Sequence, residues 1–222
     1  MHIIVLVAAL ALPLQGKTIV IDPGHNGANW SHPAEINRLV DAGGFRKACD
    51  TTGASTNDGY AEPAYNLDVA LRLAQILRAA GARVVLTRTT NNGVGPCVNE
   101  RAAIGNRAHA DAAISIHADG GPASGHGFHV IYKPGAARSY RLALAIRAAF
   151  RAGTGEPYST YAGHEALDVR TDLGGLNLST VPKVFIETAN MRNAGDARRL
   201  ESAAYRQREA VALARGLEAF LH

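Results

Sequence analysis

Long apolar runs are missing from this chain. No stretch approaches the roughly 20 residues needed to cross a bilayer, which excludes an integral membrane protein. Aromatic residues are few, at 6% of 222 positions, too sparse for a platform on which single-stranded nucleic acid could stack. Blocks of basic charge are also missing. Lysine and arginine together number 23 against 19 acidic residues, a net charge of +4, yet no run of five or six basic residues occurs. The densest groups, Arg198-Arg199 and Arg206 with Arg208, read as the solvated face of a helix. Nucleic acid is therefore not expected as a partner, while a mild positive charge favours an anionic polymer or surface. Repeats and low-complexity linkers are absent, so one domain is expected. With 47% apolar and 19% charged residues the proportions are globular, which excludes wholesale disorder.

Cysteine is nearly absent. Cys49 and Cys97 sit in Gly-, Asn- and Thr-rich stretches, so neither reads as a buried thiol, and neither has a C-x-x-C partner that would build a metal or redox motif. Residues 3–14 (IIVLVAALALPL) are almost continuously apolar, the length of a secretory h-region, with Ala9-Leu10-Ala11 as a cleavage site. The stretch before them holds only Met1 and His2 and lacks the usual basic residue. Residues 1–16 are accordingly read as a leader and 17–222 as the functional unit, exported to the periplasm, the wall or the medium. An even cysteine count in an exported chain suggests a Cys49–Cys97 disulfide. On the chain-entropy account a loop of that size is worth about 4 kcal/mol.

Strands and helices alternate. Residues 18–21 (TIVI), 83–87 (RVVLT), 112–117 (AAISIH), 127–132 (GFHVIY) and 184–187 (VFIE) read as strands. Residues 64–80, 99–110, 139–151 and 198–221 carry apolar positions at helical spacing. A long polar, Gly-rich stretch fills 26–59. This order predicts an α/β fold: a three-layer domain with a mostly parallel mixed sheet flanked by helices, and a ligand site off the strand ends.

Three of those strands run into residues able to hold a metal. The first leads to His25, the third ends at His117 and the last ends at Glu187, while Glu62 precedes the first long helix. Zinc in hydrolases takes three N/O ligands and leaves a place for water, and a further carboxylate nearby can take that water's proton. Singly, each residue has a plainer explanation. A strand-end histidine is commonly hydrogen-bonded and structural, and Glu62 could simply favour a helix N-terminus. Glu187 is harder to dismiss, because a buried strand rarely ends in an unpartnered acid. His126 and His129 lie close in sequence to the His117 strand and are candidate substrate contacts, as is His164; His32, His109 and His222 read as solvated.

The chain resembles the zinc-dependent N-acetylmuramoyl-L-alanine amidases of the amidase 3 family, over nearly all of 18–221. The resemblance rests on Ile19-Val20-Ile21-Asp22-Pro23-Gly24-His25, Glu62 with Asn66, Val85-Leu86-Thr87-Arg88, and Arg101 with Asn106. It continues through Ala110-Asp111, Ser115-Ile116-His117-Ala118, Gly127, Pro182 to Thr188, and Asn193. It implies one Zn2+ per chain held by His25, Glu62 and His117, with Glu187 as catalytic carboxylate and Asn66 beside the substrate. The implied reaction is hydrolysis of the amide joining N-acetylmuramic acid to L-alanine of the peptidoglycan stem peptide, on intact wall or muramyl-peptide fragments. A monomer without stable membrane insertion is expected.

The chain departs from the family pattern in four places. Asn26-Gly27 follows the first histidine in place of Gly-Gly, Asp119 stands where asparagine is usual, and Ala189-Asn190-Met191 replaces an aromatic-containing segment. The stretch between His25 and Glu62 is long and includes Glu35 as an alternative ligand. Two other readings stay open: a zinc peptidase or deacylase acting on another amide, and a catalytically silent wall-binding protein. The presence of all four site residues counts against the second.

Overall fold

The computed structural model describes residues 12–222. Residues 3–11 of the apolar h-region and the Ala9-Leu10-Ala11 cleavage site lie outside the described residues. The remainder of the expected leader does not: Leu14 is buried in the core, and its N–H donates to the Ala80 carbonyl at 2.9 Å. The folded unit therefore begins before position 17.

Among the described residues eight strands and seven α-helices follow one another. They are β1 (Thr18–Pro23), α1 (Pro33–Ile36), β2 (Leu39–Asp41), β3 (Arg46–Ala48), α2 (Glu62–Ala79), β4 (Arg83–Leu86), α3 (Val98–Arg107) and β5 (Ala112–Asp119). Then come β6 (His129–Tyr132), α4 (Ala137–Thr154), β7 (Leu167–Val169), α5 (Gly174–Asn177), β8 (Lys183–Asn190), α6 (Ala194–Leu200) and α7 (Ala203–Leu221). Six strands form one sheet in the order β4-β1-β5-β8-β6-β7, and β2 pairs with β3 in a separate antiparallel hairpin. All pairings in the large sheet are parallel except β6 with β8. The three-layer mixed α/β architecture expected from the alternation of elements is thus what the chain adopts.

Period-2 alternation divides the sheet's faces. Ile19, Ile21, Ile114, Ile116, Val184 and Ile186 point to one face, where α2, α4 and α7 cover them with Leu73, Leu77, Ile146, Leu213 and Leu217. Val20 and Ala113 point to the other, against Ile104 of α3. Positions further along the same second face are Asp22, Ser115, His117, Phe185 and Glu187. The polar residues therefore sit where the α3 side thins out toward the C-terminal strand ends. After β1 the chain crosses to β4 on one side, and after β4 it returns to β5 on the other, so the strand order reverses at β1. Crevices at such switch points are where open α/β sheets bind ligands.

The structure refines several sequence-level expectations. The 198–221 helix is two helices: Asn193 caps α6, Ser202 caps α7, and the chain breaks between them. β5 and β8 run past His117 and Glu187, to Asp119 and Asn190, so neither residue is strictly terminal. The polar 26–59 stretch is not structureless; it holds α1 and the β2–β3 hairpin. Cys49 and Cys97 are bonded to each other, and Cys49 is 1% exposed, against the expectation of an unburied cysteine. Cys49 is enclosed by its bond to Cys97 and by backbone hydrogen bonds with Arg38 and Val98, which the polar composition of its own stretch does not announce.

Candidate metal and catalytic site

His25 lies just past β1, in the left-handed region at φ 55°. Non-glycine residues held there tend to mark functional sites. Its Nδ1 is 3.0 Å from Asp50 Oδ1, which leaves Nε2 facing Glu62 Oε2 at 3.4 Å. His117, on β5, turns Nδ1 to Glu62 Oε1 at 2.8 Å. Its ring stacks on Phe185, with centroids 3.9 Å apart. One donor atom from each of His25, Glu62 and His117 lies within 4.8 Å of the others, and the glutamate sits between two imidazoles. Glu35, the alternative ligand, is exposed on α1 and takes no part.

Two glycines permit this approach. A Cβ on Gly24 would stand 2.0 Å from His117 Cε1, and one on Gly53, at φ +78°, would stand 2.8 Å from both Glu62 Oε2 and His25 Cδ2. Backbone thus occupies the space next to all three candidate ligands.

The ligands are held from behind. Glu62 begins α2 and accepts from Ala54 N at 2.7 Å, Asn66 Nδ2 at 3.2 Å and Ala118 N at 3.3 Å. Asn66 is fully buried and also donates to the Gly24 carbonyl, so it steadies Glu62 and does not line the cleft. Asp50, which orients His25, is gripped by Arg101 Nη2 at 3.0 Å. Arg101 also donates to Asp22, to the Pro23 carbonyl and to the His25 carbonyl. Asp22 in turn accepts from Thr87 at 2.7 Å, Ser115 at 2.6 Å and Lys183 at 3.1 Å. Buried charges are tolerated only when paired and hydrogen-bonded in this way.

Electrostatics follow from that arrangement. Burial works against a charged His25, but Glu62 and Asp50 outweigh it and raise its pKa to about 10 in the metal-free chain. Burial dominates at His117 and lowers its pKa despite the bond to Glu62. Burial would raise the Asp22 carboxyl, but Lys183 and Arg101 hold it well below the usual carboxylate range. Glu187 is pushed well up, by burial first and then by the Glu62 and Asp119 carboxylates. A cation between the ligands would relieve that repulsion and displace the protons, so the donor set fits a divalent, nitrogen-accepting ion such as zinc.

The ligands and Glu187 open on a cleft of about 470 Å³. Glu187 lies beside His117 in the β5–β8 register. One wall comes from residues 47–54 and another from 173–176. Lys47 Nζ joins the two regions by donating to the Asp172 carbonyl at 3.0 Å. Among the sequence candidates for substrate contact, His129 is 2% exposed, His126 is half-buried and His164 is exposed; none of the three lines the cleft. Sequence reasoning missed Asp50 and the role of Arg101. An aspartate 25 positions from the histidine it orients, next to a cysteine in a polar stretch, carries no local signal. Only the disulfide pairing hinted that this segment folds back on the site.

Comparison with known proteins agrees with the geometry. A family profile described as N-acetylmuramoyl-L-alanine amidase matches residues 19–219. An N-acetylmuramoyl-L-alanine amidase of Mycobacterium tuberculosis is 44% identical over 215 residues, covering 94% of this chain and 88% of that protein. The crystal structure of an N-acetylmuramyl-L-alanine amidase from Mycobacterium smegmatis superposes with a TM-score of 0.90 at 42% identity, over 94% of this chain and 98% of that one. The apo form of one from Mycobacterium abscessus gives 0.90 at 41%, over 94% and 100%. The chain belongs to the N-acetylmuramoyl-L-alanine amidase family of the amidase 3 type.

Proposed function

We propose that the chain cleaves the amide between N-acetylmuramic acid and L-alanine with one zinc ion held by His25 Nε2, Glu62 and His117 Nδ1, and with Glu187 as general base. The observation that supports this most strongly is the set of three donor atoms within 4.8 Å of one another, on a cleft that Glu187 also lines. When bound, such an ion supplies Lewis acidity, making water more acidic and polarising the scissile carbonyl.

The chain's own residues account for the rest. Asp50 and Arg101 fix the His25 ring so that Nε2 is the free nitrogen. His117 turns Nδ1 toward Glu62, so that nitrogen is the one beside the other two ligands. Glu187 takes the proton from the attacking water and passes it to the departing amine of L-alanine, a role worth roughly 10²–10⁴-fold in rate. Its raised affinity for protons suits a group that must hold one and then release it.

Export fits the Cys49–Cys97 bond, which persists in oxidising compartments. Cleavage after Ala11 would leave the packed 12–16 segment intact. Incubating the protein with soluble muramyl-peptides, with and without a chelator, and weighing the products tests the reading. Release of the free stem peptide, stopped by chelator and restored by zinc, is expected. Cleavage confined to the peptide, or turnover indifferent to chelator, would overturn it.

A further inference from the structure

Three strands place their side chains in one row beneath the cleft. His117 on β5 lies opposite Glu187 on β8, and Glu187 lies opposite His129 on β6, all on the same face of the sheet. Directly opposed residues on antiparallel strands have Cβ atoms about 4.5–5.5 Å apart, so the imidazole and the carboxylate are neighbours. Glu187 is thus flanked by two histidines, one a candidate metal ligand and the other with no role assigned.

That second histidine is buried, at 2% exposure, and its Nδ1 has no hydrogen-bond partner among the described residues. Glu187 Oε2 is buried and unpartnered in the same sense, as is the hydroxyl of Tyr161. Buried polar atoms without partners are uncommon and costly. Here an acceptor and potential donors, each unpartnered, gather behind one carboxylate. The Tyr161 ring stands edge-on to the His129 ring, with centroids 6.0 Å apart. That ring has no freedom to move away. A Cβ on Gly121 or Gly125 would come within 2.6 Å and 2.5 Å of it, so the glycine backbone closes over it. Burial lowers the pKa of His129, which favours the neutral ring with a proton on a single nitrogen, even though Asp119 and Asp168 pull the other way and Arg170 adds to the lowering.

We propose that His129 is a positioning residue for Glu187: its Nδ1–H reaches the buried oxygen Oε2 through one bridging water, and holds the carboxylate so that Oε1 is presented to the cleft. Tyr161 walls off this contact from bulk solvent. A general base whose inner oxygen lacked a partner would rotate or draw in solvent, and its reactive oxygen would spend less time in line with the water it must deprotonate. His129 would not touch the substrate, since it does not line the cleft.

This inference rests on the proposed role of Glu187, and two readouts separate their fates. The first is kinetic, on a soluble muramyl-peptide with zinc-loaded wild type, His129→Phe and His129→Asn. Asparagine places its amide N–H close to where the imidazole Nδ1–H lies, whereas phenylalanine keeps the shape and has no donor. The expected result is a fall in kcat of about 10–100-fold for His129→Phe with KM, zinc content and Tm close to wild type, and recovery to within a few-fold in His129→Asn. An unchanged kcat in His129→Phe, or equal losses in both variants, overturns the proposal.

The second readout needs no turnover. In metal-free, ¹⁵N-labelled protein the His129 ring is expected as the Nδ1–H tautomer, with its proton signal shifted and exchanging faster in Glu187→Ala. The Nε2–H tautomer, or a signal indifferent to Glu187→Ala, overturns it. Wild type that fails to turn over the muramyl-peptide removes the proposed function instead, and the tautomer then decides this point alone.

Discussion

His25 is the residue on which most of the buried polar network converges. Its ring is fixed by Asp50, Asp50 is fixed by Arg101, and Arg101 also holds the His25 carbonyl. Burial would raise the Asp50 carboxyl, but its bond to His25 and the Arg101 guanidinium outweigh that and bring its pKa down to about 2. Because the folded value lies below the ordinary one, the contribution is present above about pH 4 and is lost as pH falls through about 2. From that shift it amounts to about 2 kcal/mol, for a side chain only 5% exposed. Metal-free wild type and Asp50→Asn, melted at intervals between pH 6 and pH 2, should differ most at the upper end and converge toward the lower. A difference that did not shrink with acid would contradict the assignment.

The long elements were legible in the sequence because their apolar positions recur with the period of a helix or a strand. β1, α2, β4, α3, β5, α4 and β8 all lie within a few residues of where that periodicity places them. What escaped is what lacks a period: the three-residue strands β2, β3 and β7, the one-turn helices, and the break between α6 and α7. Packing between long helices was not legible either, because it depends on which small residues meet. Gly216 on α7 faces α4 so closely that a Cβ would stand 2.9 Å from Ile146 Cα, a backbone atom unable to yield. Gly153 on α4 meets Ala212 in the same way, at 2.7 Å. Gly216→Val should therefore force the pair apart and cost about 1–3 kcal/mol, read as a lower urea midpoint at unchanged slope. A midpoint equal to wild type would mean that the helices separate without penalty.

At the scale of the molecule, the segment between His25 and Glu62 decides how the site is enclosed. Two of the three candidate ligands sit on regular frame elements, and were found from strand and helix ends. The segment contributes Asp50, Gly53 and a cleft wall, and none of these was legible because its composition resembles an ordinary surface loop. It is tied down at its far end. Cys49 is bonded to Cys97, its carbonyl accepts from Val98 N at 2.8 Å, and Asn177 Nδ2 reaches the Ala42 carbonyl at 3.0 Å. The disulfide thus immobilises the residue next to Asp50. Replacing both cysteines by serine should cost about 2–5 kcal/mol of stability. It should also weaken zinc binding, by loosening Asp50's hold on His25. Loss of stability with zinc affinity unchanged would show that the segment supports the fold and leaves the metal site alone.

The central claim is a division of labour in which three residues hold the ion and a fourth, Glu187, moves the proton. Glu187→Gln tests it most directly, since the amide keeps the shape of the side chain and removes its basicity. Zinc content and muramyl-peptide hydrolysis are to be measured on the same preparation. The account predicts one zinc per chain, as in wild type, with kcat lower by roughly 10²–10⁴-fold. A variant that hydrolyses the substrate within a few-fold of wild type, or that no longer retains zinc, would contradict it.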